Sequence, residues 1–316
     1  SLESDVRLAL ECGVRFLGIF YCVSDERLGD RGSALGAVVT RIARTVQLAK
    51  EHGPDLLVRY TPEDTVRSPF DNVVLAASEA VSAGADVISI ADTTGCLIPG
   101  TRHNMYDYVR RLRDALAARG GFPLIAVHCH NDRGLALANA LDGYRAGADI
   151  IDATVLALGE RAGLVDLATL LTVLAHDLGE GGGWRLSELP ALYRLVSRFA
   201  NVPIPPTFPV MGRNAFTHCA GVHTQAALRN PLHYQSLDPA IVGRRPEIAL
   251  DHMSGMASLR HSLEAIGEEG LPDEAARSVL ARVKAIGQSG RTVDNEELAL
   301  VVEFVRQEER ADRQVA

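Results

Sequence analysis

LIAVHCHNDRGLALANALDGYRAGADIIDATV, residues 124–155, decides how the chain folds. It opens on a short apolar run and closes that run with two histidines, His128 and His130. A helical pattern follows, and the helix ends in Ala-Gly-Ala-Asp, directly before a second β-rich run, DIIDATV (149–155). Strand, helix and strand within some thirty residues is the spacing of a βαβ unit, whose two strands run parallel. AGAD also occurs at 83–86, before DVISIA (86–91), so the same helix-to-strand joint is used twice.

Outward from this unit the pattern repeats. VRFLGIFY (14–21), DLLVRY (55–60), DVISIA (86–91), PLIAVHCH (123–130) and DIIDATV (149–155) read as strands. Helical patterns lie between them near 35–52, 69–83, 102–119, 133–146 and 164–178. Alternation of apolar strands and helices means a parallel sheet, either doubly wound or closed as a (β/α)8 TIM barrel. Polar residues collect at the C-terminal ends of nearly all these strands, which favours the barrel, whose sites lie on that face. Five strands are clear and a sixth is expected near 205–211, so the first two strands of an eight-stranded barrel are not evident. We place the catalytic barrel at 1–183, up to the glycine-rich break GEGGGW (179–184), and a mostly helical C-terminal region at 184–316. In that region a proline-rich arm precedes helices near 221–229, 256–268, 273–287 and 294–309. The N-terminus, SLESDVRLALECGV, reads as an amphipathic helix already under way.

The chain has 316 residues, of which 47% are hydrophobic and 23% charged, with a formal net charge of −8. That balance argues against general nucleic-acid binding, so attraction of an anionic substrate must be local. No run of eighteen apolar residues offers a membrane span. Five cysteines without CxxC spacing read as reduced thiols of a cytoplasmic protein.

The chemistry sits at the strand ends. His128 and His130 are i and i+2 on a strand and share a face. They either share a divalent cation or form a hydrogen-bonded histidine pair. Asp132 is expected to cap the following helix. In VRYTPEDTVRS (58–68), Arg59 and Thr61 share a face suited to a carboxylate, and Glu63 is either an acid/base group or part of a charged loop. In IADTTGC, Thr93 is a substrate donor or a turn residue. In LALGERAGL, Glu160 and Arg161 read as an ion pair holding the rim, with a catalytic role equally open. In GRNAFTHCAGVHTQAALRNPLHY (212–234), His223 and Tyr234 suit proton transfer.

Taken in order, VRYTPEDTVRS, ADTTGC, HCHNDRGLALANA, GADIIDATVLALGERAG, GRNAFTHCAGVHT and NPLHY resemble the homocitrate synthase and isopropylmalate synthase family over nearly the whole chain. These are acetyl-CoA-dependent, Claisen-condensing metallo-TIM barrels. NAFTHCAGVHT and Leu164 after GERAG bring the chain closer to the homocitrate branch. Leu164 stands where the isopropylmalate branch carries an asparagine ligand, and leucine cannot bind a metal.

The resemblance implies that His128 and His130 bind a divalent metal ion (Zn, Mn, Mg, Fe or Co). Arg59, Thr61 and Thr93 would hold a 2-oxoacid, and Glu63, His223 and Tyr234 would form the acid/base group. It further implies a homodimer with exchanged C-terminal regions. The expected product is homocitrate- or citrate-like, made from acetyl-CoA and 2-oxoglutarate, oxaloacetate or an analogue such as phosphonopyruvate. The family's opening strand, with its acidic metal ligand, is not found in this sequence. Two alternatives are a half-enzyme subunit whose partner carries the first strands, and a hydroxyacyl-CoA lyase on the same barrel.

Overall fold

A computed structural model describes residues 3–53, 55–218 and 233–315. The chain divides into two compact units, Ser1–Leu170 and Leu171–Ala316.

The first unit is a parallel sheet of five strands in sequential order: β1 (Phe16–Phe20), β2 (Leu57–Thr61), β3 (Val87–Asp92), β4 (Leu124–Cys129) and β5 (Ile150–Ile151). Two short strands, β6 (Ala153–Thr154) and β7 (Val165–Asp166), pair parallel with each other. The first four expected strands form within two residues of their expected bounds, while the fifth, expected over 149–155, splits into the two-residue strands β5 and β6 of different sheets. Helices α1 (Glu3–Glu11), α2 (Asp25–Asp30), α3 (Leu35–His52), α4 (Phe70–Ser82), α5 (Met105–Ala117) and α6 (Ala136–Arg145) are the crossovers and their extensions.

The sheet's outer face is its core. Leu17, Ile19, Val58, Tyr60, Ile125 and Val127 are buried on it, as are Val39, Ile42 and Val46 of α3 and Val73, Ala77 and Ala80 of α4. The central strand β3 is buried at all six positions. The i, i+2 set on the other face is more open: Phe16 is 45% exposed and Phe20 58%. Strand β1 pairs only with β2 among the described residues, so its outer edge has no strand beside it.

The twice-used AGAD joint has one geometry. Gly84 (φ 108°) and Gly147 (φ 90°) turn the chain out of the helix in a conformation that side chains rarely adopt. Ala85 N–H donates to Ala80 O and Ala148 N–H to Gly143 O, both at 2.9 Å, the 6→1 bond of a Schellman motif. The aspartate then ties the new strand to its neighbour. Asp86 Oδ2 accepts Val58 N–H at 2.7 Å, and Asp149 Oδ2 accepts Ile125 N–H at 2.8 Å. Lys50 and Arg113 pair with these two carboxylates.

In the second unit, helices Met256–Ala265, Asp273–Gln288 and Asn295–Val315 enclose a core of Leu259, Leu263, Val279, Val283, Leu298 and Val302. Helix Leu189–Ala200 was not expected individually. The strand expected at 205–211 does not form: Pro206–Met211 is a run of turns in which Phe208 N–H donates to Pro205 O and Gly212 N–H to Phe208 O. Prolines at 203, 205, 206 and 209 cannot donate to a ladder, which explains the failure. The helix expected near 221–229 lies outside the described residues. Among the described residues no helix is long and apolar enough to cross a membrane.

Candidate active site

The inner-face side chains at the C-terminal ends of β1 to β5 surround a cavity of about 480 Å³. Arg59, Thr61, Glu63, Thr93, His128, His130 and Glu160 line it, together with Phe16, Gly18, Phe20, Ala91 and Asp152. Residues more than a hundred positions apart therefore meet because parallel strands deliver their ends to one place. Arg161 sits on the rim beside them. Tyr234 belongs to the second unit, where it is about half exposed. His223 falls outside the described residues.

Asp152 organises the floor, and the sequence reading assigned it no role. Arg59 Nη1 donates to its Oδ1 at 2.8 Å and Arg59 Nη2 to its Oδ2 at 2.5 Å. His128 Nδ1 lies 2.8 Å from the same Oδ2. Burial by itself would raise the carboxyl's pKa. The hydrogen bonds from His128 and Arg59, and their charges, outweigh it and hold Asp152 well below the usual carboxylate range. An ionised carboxylate can only accept, so His128 Nδ1 carries the proton of that bond.

The two imidazoles converge. His128 Nε2 and His130 Nε2 are 3.3 Å apart. Two nitrogens bound to one zinc-like cation at about 2.1 Å and a tetrahedral angle stand about 3.4 Å apart. The pair therefore fits two positions of a divalent-metal site. Burial, followed by the neighbouring His128 and Arg161, pushes the His130 pKa below the ordinary imidazole value, which favours the neutral form a ligand needs. No cluster of three or more His, Cys, Asp or Glu placed to hold a metal occurs among the described residues, so the pair supplies only part of a coordination sphere.

The hydroxyls beside this floor keep their protons available. Thr61 Oγ1 accepts from Arg59 Nε at 3.3 Å, and Thr93 Oγ1 accepts Asp64 N–H at 3.0 Å. Neither hydroxyl donates to another described residue, so each can donate to a substrate oxygen. Arg59 also donates from Nη2 to Ser89 Oγ at 2.5 Å. Four of its five N–H groups are thus engaged, and one on Nη1 remains for a substrate. Glu63 lies beyond the end of β2 and pairs with Arg27 at 3.3 Å.

The rim is braced by Arg161. Its Nε donates to Asp132 Oδ1 at 2.7 Å, and its Nη2 to Thr93 O at 2.5 Å and to Asp132 Oδ2 at 3.0 Å. The Glu160 carboxylate is farther off, at 3.6 Å. The loop it braces is strained: Leu156, Ala157 and Arg161 have φ of 61°, 53° and 56°. Asp132 does not cap α6 as expected. Asn131 Oδ1 accepts Ala136 N–H at 3.2 Å instead, and Asp132 is drawn to Arg161.

Comparison with known proteins identifies the family. The HMGL-like family profile matches residues 1–196, and the profile described as "Homocitrate synthase post-HMGL domain-like" matches residues 210–291. A homocitrate synthase of Pyrococcus horikoshii is 39% identical over 286 residues, covering 90% of this chain and 75% of that protein. A 2-isopropylmalate synthase of Sulfolobus acidocaldarius is 36% identical over 296 residues, covering 93% and 74%. Among solved structures, an HMG-CoA lyase from Bacillus subtilis superposes with a TM-score of 0.52 at 20% identity, over 67% of this chain and 70% of that one. That likeness shows the shared barrel fold and nothing finer.

Proposed function

The chain belongs to the homocitrate synthase family of HMGL-like acetyl-CoA-dependent acyltransferases, which condense acetyl-CoA with a 2-oxoacid, and we propose that the cavity of the first unit is where it does so. The observation that carries this proposal is the convergence of His128 and His130 Nε2 at 3.3 Å, beside Arg59, Thr61 and Thr93.

In this reading His128 and His130 hold a divalent metal ion. When bound, the ion would draw electron density from the keto group of the substrate. The protein's own residues do the rest. Thr61 and Thr93 donate hydrogen bonds from their hydroxyls to substrate oxygens, and Arg59 adds one from its remaining Nη1 N–H. A base takes a proton from the acetyl methyl group, and the carbon so activated bonds to the keto carbon. Water then cleaves the thioester and releases the thiol of CoA. Glu63 lines the cavity and supports the proton-transfer role, with His223 and Tyr234 supplied by a partner's C-terminal region in a homodimer. The region 184–316 would thus serve dimerisation and completion of the site. The cysteines Cys12, Cys22, Cys96 and Cys129 are free thiols, which supports a reducing, cytoplasmic setting.

The substrates we propose are acetyl-CoA with 2-oxoglutarate, oxaloacetate or an analogue such as phosphonopyruvate. The test is thiol release from acetyl-CoA against a panel of 2-oxoacids, with Mg²⁺, Mn²⁺, Zn²⁺, Co²⁺ and Fe²⁺ in turn. Release confined to one or two of these acids supports the reading; no release with any pair refutes it.

One observation favours a second reading. The outer edge of β1 has no strand partner among the described residues, and Phe16 and Phe20 are exposed beside it. Such an edge is a pairing surface, which supports a subunit whose partner contributes strands. Light scattering on the purified protein decides between a homodimer and a heteromer.

A further inference from the structure

We propose that Asp152 is a positioning residue that sets the tautomer of His128, and that Arg59 holds Asp152 in the place where it can do so. The inference rests on the reading of His128 and His130 as ligands of a divalent cation.

An isolated neutral imidazole carries its proton on either nitrogen. Only the form with hydrogen on Nδ1 leaves the Nε2 lone pair pointing at His130. Asp152 Oδ2, 2.8 Å from His128 Nδ1, accepts a hydrogen there and stabilises that form. The carboxylate has little freedom to turn away. Arg59 grips both of its oxygens, at 2.8 and 2.5 Å, and is itself anchored by Ser89 Oγ at 2.5 Å on the adjacent strand. Asp152 N–H donates to Val127 O at 3.0 Å, which fixes the backbone of Asp152 against the strand that carries His128. The chain Ser89–Arg59–Asp152–His128 thus links β3, β2, the junction of β5 and β6, and β4. A carboxylate behind a ligating histidine orients the ring and raises its basicity, and losing one typically weakens metal affinity by about 10–100-fold.

A contrast within the pair supports this assignment. His130 Nδ1 is buried with no hydrogen-bond partner among the described residues. Its tautomer is therefore not fixed from behind, and His128 is the histidine with a set orientation.

The test uses the full chain, ¹⁵N-histidine labelled and free of cation, at a pH where imidazole is neutral. Long-range ¹H–¹⁵N spectra identify which nitrogen of His128 bears hydrogen. Calorimetric titration with Zn²⁺ then gives affinity for wild type, Asp152→Asn and Asp152→Ala. We expect Nδ1–H in wild type and in Asp152→Asn, whose amide oxygen can still accept. In Asp152→Ala we expect a shift toward Nε2–H and about 10–100-fold weaker Zn²⁺ binding. Nε2–H in wild type overturns the inference whether or not the alanine variant folds. Unchanged Zn²⁺ affinity in a folded Asp152→Ala, or weaker binding with the tautomer unchanged, overturns it as well. A wild type with Nδ1–H that binds no Zn²⁺ overturns the reading beneath it, the ligand assignment of His128 and His130, and with it the inference.

Discussion

Replacing Gly163 by alanine separates the geometry of the rim loop from a general intolerance of glycine substitution. Gly163 is buried at φ 83°, and a Cβ built there falls 1.8 Å from the carbonyl oxygen of Ala157. Bringing that contact out to an ordinary separation moves one side of the turn by more than about 1 Å. The movement strains or breaks two bonds: Leu164 N–H to Ala157 O at 3.0 Å, and Asn131 N–H to Gly163 O at 2.9 Å. The left-handed conformation costs an alanine about 1–2 kcal/mol, and two lost hydrogen bonds cost about 1 kcal/mol each. The expected destabilisation is therefore about 3–4 kcal/mol. Gly134 is the control. Its φ is 72°, but a Cβ there meets nothing within 4 Å, so only the conformational cost of about 1–2 kcal/mol applies. Urea unfolding followed by circular dichroism should give midpoints in the order wild type, Gly134→Ala, Gly163→Ala. Because Asn131 directly follows His130, Gly163→Ala should also weaken Zn²⁺ binding, whereas Gly134→Ala should not. Equal midpoints for the two variants would show that the loop yields without cost and would refute the reasoning.

His128→Ala should abolish divalent-cation binding and thiol release together, and calorimetry showing an unchanged stoichiometry would contradict ligation. Glu63→Gln keeps the shape of a side chain outside the histidine pair, so it should lower turnover by about 10²-fold or more while Zn²⁺ affinity stays within a factor of two. Leu259, fully buried in the three-helix core of the second unit, should cost about 2–5 kcal/mol when cut to alanine. The loss should appear as earlier urea unfolding of helical signal, with the cation affinity of the first unit unchanged.

The strands and crossovers of the first unit were legible because their signals are local. An apolar run of five or six residues and a glycine-marked helix end are both read within one window, and the first four expected strands form within two residues of their bounds. Seven expected site residues line the cavity, and they were legible for a related reason: all but Glu160, which lies in the loop that follows, stand at or just beyond the end of such a run. Asp152 was not. It interrupts DIIDATV as an acid among apolar residues, and nothing near it in sequence says what it meets. Its partners are Arg59 and His128, 93 and 24 positions away, and only the register of the sheet brings them together. The failure at 205–211 has the opposite cause. The apolar residues there suggested a strand, but the prolines among them had already removed the ladder's donors.

On β2, β3 and β4 the inner face changes character along the strand, and this explains why binding chemistry collects at one end. On β2 the inward residues run Leu57, Arg59, Thr61, and along β3 and just past its end the i, i+2 series is Ser89, Ala91, Thr93. On β4 the series is Leu124, Ala126, His128, His130. Each begins apolar or small and ends in a donor or a ligand. Midway on β3 and β4 the residues are small: Ala91 lines the cavity with Arg59 and Asp152, and Ala126 stands beside Ser89 in the register. The hydrogen-bonded floor of Arg59, Asp152 and His128 lies at this polar end, and a buried polar network of this kind is stable because every member finds its partner.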